Sequence, residues 1–220
     1  MYILVQLNIK KLILTYLTDC KKMIKPDLTH VTNLEDFYNE ITKAQQGAHG
    51  EEYTEHHKSL VACAQECDTI KELGVCQGAT LAAMLMTKPK SLTGYDIAGY
   101  YFEPYKHIFE KYAEENNIDF TYKELSSHSS SAVSQVDMLH IDTLHKPDHL
   151  FKELLMHAPK VRKYIVLHDT ANFKNSNGLF VTIAKYITEI EQLWKVHTHY
   201  IHRVGYTVLE RVNRIQPEWK

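Results

Sequence analysis

Residues 70–96 contain the pattern that most restricts how this chain can fold. The segment Ile70-Lys-Glu-Leu-Gly-Val-Cys-Gln-Gly-Ala-Thr80 indicates a short apolar strand, a turn with two glycines four residues apart, and the start of a helix. A second predicted strand ends on the carboxylate of Asp96. Glycine lets a ligand approach the backbone, the first amides of a helix are unpaired, and a carboxylate can accept hydrogen bonds from a ribose. The pattern therefore predicts a site for a cofactor that contains a nucleoside.

The spacing of the glycines bears on which cofactor is bound. Glu72, Gly74 and Gly78 follow E-x-G-x-x-x-G, whereas a dinucleotide-binding turn has three glycines in the order G-x-G-x-x-G. No Gly-Lys-Ser or Gly-Lys-Thr occurs, so a Walker phosphate-binding loop is excluded. The pattern resembles motif I of the class I S-adenosylmethionine-dependent methyltransferases. The resemblance implies that Gly74 and Gly78 form the cofactor turn, that Glu72 lies near the methionine amino end and that Asp96 binds the ribose hydroxyls.

Composition limits the class of protein. A chain of 220 residues is long enough for one well-cored domain, and its formal charge of −2 with interspersed signs argues against a dedicated nucleic-acid binder. The four cysteines form no C-x-x-C pair, and Cys63 and Cys67 are expected to be small apolar core residues. We therefore expect a cytoplasmic protein with reduced thiols that does not have nucleic acid as a partner.

The N-terminal run Met1–Leu14 is apolar but lacks the features of a signal peptide. No basic residue precedes it, two lysines interrupt it, and it is too short to span a bilayer. We expect an amphipathic helix or strand that packs on the domain, with a peripheral membrane contact as a lesser alternative. The same run could serve a homodimer interface, and Met23 is a second possible translation start.

From residue 69 onward predicted strands alternate with helices, which indicates a parallel sheet covered on both faces. Ile183, Ile187, Ile190 and Trp194 are predicted to line one side of a late helix, and the polar segment Gln45–Tyr53 is predicted to be a loop. The fold class is therefore α/β, a three-layer sandwich with a mostly parallel seven-stranded sheet and N-terminal helices. We expect a helical extension over residues 1–55 and a methyltransferase domain over residues 56–215. The predicted strands are Thr69–Val75, Leu92–Asp96, Phe120–Leu125, Val136–Asp142, Tyr164–Leu167, His197–His202 and Tyr206–Arg211, and the resemblance implies that the last is antiparallel beside the fifth.

A second group of polar residues follows the fourth and fifth strands. Asp142 ends Val136–Asp142 with His145 three residues later, and His168 and Asp169 end the next strand. In an open α/β sheet ligands bind beyond the carboxyl ends of the strands, so one cleft could hold all of these side chains and the glycine turn. Simpler roles are a turn cap for Asp142, an exposed helix start for His145 and a backbone-bonded structural histidine for His168.

These two segments resemble a subgroup of small class I methyltransferases with Asp-x-x-His and His-Asp-Thr motifs. The subgroup is related to the caffeoyl-CoA-type O-methyltransferases and the cephalosporin hydroxylase-like proteins. The resemblance places Asp142 in the cofactor cleft and, with Asp169, at two ligand positions for a divalent ion such as Mg²⁺ or Mn²⁺. Thr170 stands where the metal-dependent relatives have an asparagine, which makes His168 or His145 the candidate for the missing ligand.

Methyl transfer to oxygen gives the histidines a chemical role. The reaction is an in-line displacement, and a hydroxyl acceptor must lose its proton as it attacks. His168 and His145 are the candidate catalytic bases. We therefore expect an S-adenosylmethionine-dependent methyltransferase that acts on a small polar acceptor, at oxygen. The alternatives are a cofactor-binding protein without transfer activity, a cephalosporin hydroxylase-like enzyme, and a nicotinamide-dependent oxidoreductase.

Overall fold

Seven strands form one sheet at the centre of the computed structural model, which describes residues 26–49, 52–171, 178–190, 192–201 and 204–212. The strands lie in the order β3-β2-β1-β4-β5-β7-β6, and β7 alone runs antiparallel to its two neighbours. The prediction of a mostly parallel seven-stranded sheet is confirmed. The strands are β1 (Thr69–Leu73), β2 (Ser91–Asp96), β3 (Asp119–Glu124), β4 (Val136–Ile141), β5 (Val161–His168), β6 (Trp194–Tyr200) and β7 (Tyr206–Arg211).

Helices cover both faces of this sheet. Successive residues of a strand point to opposite faces, and the core divides accordingly. Val166 and Val208 pack in one hydrophobic cluster, whereas their neighbours Leu167 and Leu209 pack in the other. The three-layer architecture is therefore confirmed. The described helices are α1 (Leu34–His49), α2 (Glu52–Ala64), α3 (Ala79–Leu85), α4 (Lys106–Glu115), α5 (Pro147–His157) and α6 (Gly178–Lys185), which continues into a π-helical turn over Tyr186–Ile190.

The helices α1 and α2 belong to the same hydrophobic core as the sheet. Phe37 and Ile41 of α1 are fully buried, and the Phe37 ring lies edge-on to Phe109 of α4 with 5.2 Å between centroids. Leu60 of α2 is buried in the same cluster. The N-terminal run Met1–Leu14 lies outside the described residues. None of the described helices is long and apolar enough to cross a bilayer.

Two local predictions are wrong. Residues 45–49 were expected in a loop, but α1 continues to His49, because the helix tolerates Gly47 once its apolar face is buried. Trp194 was expected on the late helix, but it begins β6 and packs in the core from there. A tryptophan at a position where apolar residues recur is compatible with a helix or with a strand, and tertiary packing decides between them.

Candidate functional site

The glycine turn lies between β1 and α3, at the point where the sheet order reverses. β1 has β2 on one side and β4 on the other, and such a switch point is where open α/β sheets bind ligands. Gly74 and Gly78 have φ of 87° and 88°, values that side chains rarely adopt. A Cβ on Gly74 would stand 1.9 Å from the carbonyl oxygen of Asp142, and one on Gly78 would stand 3.0 Å from the Phe102 ring.

Asp96 holds this turn in place. Its Oδ2 accepts hydrogen bonds from the backbone amides of Val75 (2.9 Å) and Cys76 (2.8 Å), and its Oδ1 accepts from Ala98 N (3.0 Å). The amide of Gly74 donates to the Tyr95 carbonyl at 2.8 Å. Several amides of the turn thus donate hydrogen bonds within the protein. These amides do not form the row of free N–H groups that would bind a pyrophosphate.

Glu72 lies beneath the turn and is completely buried. Its Oε1 accepts from the Thr80 hydroxyl and lies 2.8 Å from Nδ1 of His140 on the neighbouring strand. Its Oε2 has no hydrogen-bond partner among the described residues. Burial raises the pKa of Glu72 above its ordinary value, although the contacts with His140 and Thr80 oppose that shift.

The four predicted residues at the carboxyl ends of β4 and β5 form one cluster. His145 Nε2 lies 3.1 Å from Asp142 Oδ1 and 2.8 Å from Asp169 Oδ2, so the ring bridges the two carboxylates. His168 Nδ1 lies 3.1 Å from Asp169 Oδ1 and 3.6 Å from Asp142 Oδ2. Asp142 keeps 31% of its side chain exposed and Asp169 keeps 10%, so the cluster opens to solvent on the Asp142 side.

Asp169 has a backbone conformation that is uncommon outside glycine. Its φ is 58°, in the left-handed region that aspartate tolerates better than most residues, directly after the last residue of β5. The next residue, Thr170, turns away, because its hydroxyl accepts a hydrogen bond from Thr207 of β7 at 2.8 Å. Thr170 therefore contributes no ligand atom to the group of Asp142, His168 and Asp169.

The charges of this cluster are mutually dependent. Burial disfavours a protonated ring, but Asp169 and Asp142 outweigh it, raising the pKa of His145 to about 10 and that of His168 to about 9. Burial would raise the pKa of Asp169, but His168 and His145 hold it well below its ordinary value, and the pKa of Asp142 is lowered as well. The carboxylates thus favour the protonated form of each ring, and the rings favour the ionised form of each carboxylate.

His56 of α2 also reaches the cluster, which the sequence did not indicate. Its Nδ1 lies 3.4 Å from His168 Nε2, and its ring stacks on Tyr206 with 4.9 Å between centroids. The side chain is 3% exposed. The two histidines are 112 residues apart, and no local pattern around position 56 connects them. Helix α2 therefore contributes one side chain to this cluster.

Comparison with known proteins identifies the fold. The sequence has no significant match to a protein-family model or to a curated protein. The structure does match magnesium protoporphyrin IX methyltransferase from Synechocystis PCC 6803 with bound S-adenosylmethionine, at a TM-score of 0.54 and 14% identity over 73% of this chain and 79% of that one. The chain has a class I methyltransferase fold.

Two further solved structures extend this comparison. A protein from Corynebacterium glutamicum has a TM-score of 0.58 at 14% identity, over 84% of this chain and 94% of that one. A protein assigned as a caffeoyl-CoA O-methyltransferase from Staphylococcus aureus has a TM-score of 0.51 at 12% identity, over 70% of this chain and 80% of that one. At such identities the shared property is the fold, and fold alone does not fix the reaction.

Proposed function

We propose that this chain is an S-adenosylmethionine-dependent methyltransferase that transfers a methyl group to an oxygen of a small polar acceptor. The observation that carries the proposal is the contact between the glycine turn and the strand-end cluster. Gly74 lies against the backbone of Asp142, and the Asp142 side chain contacts His145. A cofactor held at the turn would therefore lie beside the carboxylates and histidines that could handle an acceptor.

The turn suits a cofactor without phosphates. Gly74, Val75, Cys76 and Gly78 all use their backbone amides in hydrogen bonds within the protein. A dinucleotide would need such amides for its pyrophosphate, whereas S-adenosylmethionine carries an amino-acid tail and a sulfonium in that position. This favours the methyl donor over a nicotinamide cofactor.

Two carboxylates are assigned to the cofactor under this proposal. Each oxygen of a carboxylate can accept two hydrogen bonds, so Asp96 can hold the turn and still accept from a ribose hydroxyl. Glu72 contributes a buried carboxylate with one oxygen that lacks a hydrogen-bond partner among the described residues. Glu72 would place a hydrogen-bond acceptor beneath the end of the cofactor that carries the amino group.

The donor set of Asp142, His168 and Asp169 fits a divalent ion. One ligand atom from each lies within 4.8 Å of the others, and the combination of two carboxylates with an imidazole suits Mn²⁺ and, with water ligands, Mg²⁺. When bound, such an ion would lower the pKa of an acceptor hydroxyl. His145, whose Nε2 bridges the carboxylates, would have to give up these contacts or become a ligand itself.

His168 and His145 are the proposed bases for the acceptor proton. Both lie at the carboxyl ends of strands beside the turn, and His56 contacts His168 on the side away from Asp169 through the other ring nitrogen. The contact with His56 would help to fix the orientation of the His168 ring. It would also give a proton taken up on one ring nitrogen a path away from the other.

A cofactor-binding protein without transfer activity, or a cephalosporin hydroxylase-like enzyme, is the second candidate function. The raised pKa of each histidine favours this candidate, because a ring that is already protonated at neutral pH does not act as a base. Product analysis separates the two, since only a methyltransferase forms S-adenosylhomocysteine together with a methylated acceptor.

The first experiment is a calorimetric titration of the full chain with S-adenosylmethionine and S-adenosylhomocysteine, with and without Mg²⁺ or Mn²⁺. NAD⁺ serves as the control ligand. Binding of both sulfur nucleosides but not of NAD⁺ is expected, with tighter binding when the metal is present. Binding of NAD⁺ alone would refute the assigned cofactor, and binding that ignores the metal would remove the assigned ion.

A further inference from the structure

A second group of metal-binding residue types adjoins the proposed active site, since Glu153 lines a small cavity together with His145 and His168. His128 is in the loop between β3 and β4, while His149 and Glu153 lie one turn apart on α5. One ligand atom from each of the three residues lies within 4.8 Å of the other two. We propose that His128, His149 and Glu153 form a binding site for a transition-metal ion, with Zn²⁺ as the ion that suits this donor set best.

The distance between His149 and Glu153 is close to the one that a metal would impose. His149 Nε2 lies 3.1 Å from Glu153 Oε1. Ligands at about 2.0–2.2 Å around a tetrahedral Zn²⁺ are separated by roughly 3.4 Å, so this pair needs little movement. The His128 and His149 rings stack with 4.0 Å between centroids and 29° between planes, which brings the second imidazole to the same place. Two histidines and one carboxylate leave a fourth position for water.

The buried carboxylate of Glu153 favours a bound cation at the triad. Its side chain is fully buried, and within the described ranges it has no lysine or arginine ion-pair partner. Its two oxygens accept from the Thr143 hydroxyl at 2.9 Å, and its remaining contact is His149. A buried carboxylate is normally paired with a positive charge or coordinated to a metal. The Thr143 contact also fixes the carboxylate, as an outer-shell partner does in known metal sites.

The loop that carries His128 is held by further contacts. His157 Nε2 donates to the Ser127 carbonyl oxygen at 2.8 Å, and Ser127 Oγ lies 3.4 Å from His149 Nε2. His128 Nε2 donates to the His149 carbonyl oxygen at 3.3 Å, which leaves its Nδ1 unprotonated in the neutral ring. A bound ion would join this loop to α5.

The test is a titration of the metal-stripped full chain with Zn²⁺. Calorimetry measures the affinity, and the melting temperature is recorded with and without the ion. Wild-type protein is compared with His128→Ala and His149→Ala, and with His107→Ala as a matched control, because His107 is an exposed histidine outside both clusters. Beside any ion taken up at Asp142, we expect one Zn²⁺ that raises the melting temperature and whose affinity falls about 100-fold in both triad variants. The His107→Ala protein should behave as wild type.

Two further measurements keep the outcome unambiguous. Asp142→Asn tests the proposed active-site ion separately, and it should leave the Zn²⁺ bound by the triad unchanged. In wild-type protein, the ring resonances of His128 and His149 should shift on addition of one equivalent of Zn²⁺, which needs no variant to fold. The proposal is refuted if the triad variants bind Zn²⁺ as wild type does, or if these resonances do not move. Refutation of the zinc site would not bear on the proposal that Gly74 belongs to a cofactor-binding turn.

Discussion

Gly74 and Asp142 are in backbone contact, so close that a Cβ on Gly74 would overlap the Asp142 carbonyl oxygen at 1.9 Å. The amide of Asp142 also donates to the carbonyl of Leu73 at 2.9 Å. The end of β1 and the end of β4 are therefore joined by main-chain contacts of Asp142 with Leu73 and Gly74. This joint couples the geometry of the cofactor turn to the geometry of the acid–histidine cluster.

Replacing Gly74 with alanine should abolish both binding functions at once. The methyl group must displace the Asp142 backbone, and φ of 87° is unfavourable for alanine. We expect calorimetry to show loss of S-adenosylmethionine binding together with loss of Mn²⁺ binding. Gly47→Ala is the matched control, since a Cβ there meets nothing within 4 Å, and it should stabilise α1 by about 0.5–1 kcal/mol. Unchanged affinity in Gly74→Ala would disprove the coupling.

Asp96→Ala should loosen the turn and destabilise the protein. The substitution leaves the amides of Val75, Cys76 and Ala98 without their carboxylate acceptor. Loss of buried, charge-assisted hydrogen bonds costs about 1–3 kcal/mol, which chemical denaturation would measure. The exposed Asp119 provides the control substitution Asp119→Ala, for which little change is expected. If Asp96→Ala kept full stability and cofactor affinity, the turn would need another anchor.

His168→Ala should spare cofactor binding and reduce turnover. Loss of a general base typically lowers the rate by about 10²–10⁴-fold. The readout is kcat for S-adenosylhomocysteine formation beside the dissociation constant of S-adenosylmethionine. His197→Ala, at an exposed position on β6, is the control and should leave both values unchanged. A variant with normal kcat would assign His168 a purely structural role.

Acid stability should depend on Asp137. Burial pushes its pKa upward, but hydrogen bonds from Arg162 and from the amides of Thr69 and Asp68 outweigh this and lower its pKa to about 2. Because the folded pKa is depressed, the stabilisation is fully present above the ordinary value of 3.8 and is lost as the pH falls towards 2. Asp137→Asn should therefore be less stable at neutral pH and should lose less stability on acidification. The measurement is the free energy of unfolding of both proteins by chemical denaturation at a series of pH values. An equal loss of stability in both proteins on acidification would contradict the prediction.

The sheet was predictable because its strands carry strong local signals. The buried strand β4 is apolar along most of its length, and the glycine at position 74 marks where β1 ends. The first residues of β5 were missed, because Arg162 and Lys163 are exposed there and resemble a loop. Local patterns describe single elements well, but they do not reveal which polar residues a strand tolerates at its start.

The candidate site was predictable only where it depends on strand ends. Asp142, His168 and Asp169 follow apolar runs, so their common edge could be inferred. His56 could not be placed, because its contact with His168 depends on how α2 packs over the sheet. The bridge that His145 makes between two carboxylates likewise depends on the loop after β4. A loop has no periodic pattern of apolar residues from which its conformation could be predicted.

The position of β7 has a consequence for how the protein is made. β7 lies between β5 and β6, so β5 lacks one neighbour until the ribosome has released residues beyond 211. The β5 residues Tyr164–His168 pair with Tyr206–Glu210. During synthesis, an apolar strand edge therefore stays open for the whole time that the later helix and β6 are produced, and such edges are prone to aggregate. His168 and Asp169 acquire their final surroundings only when the last strand inserts.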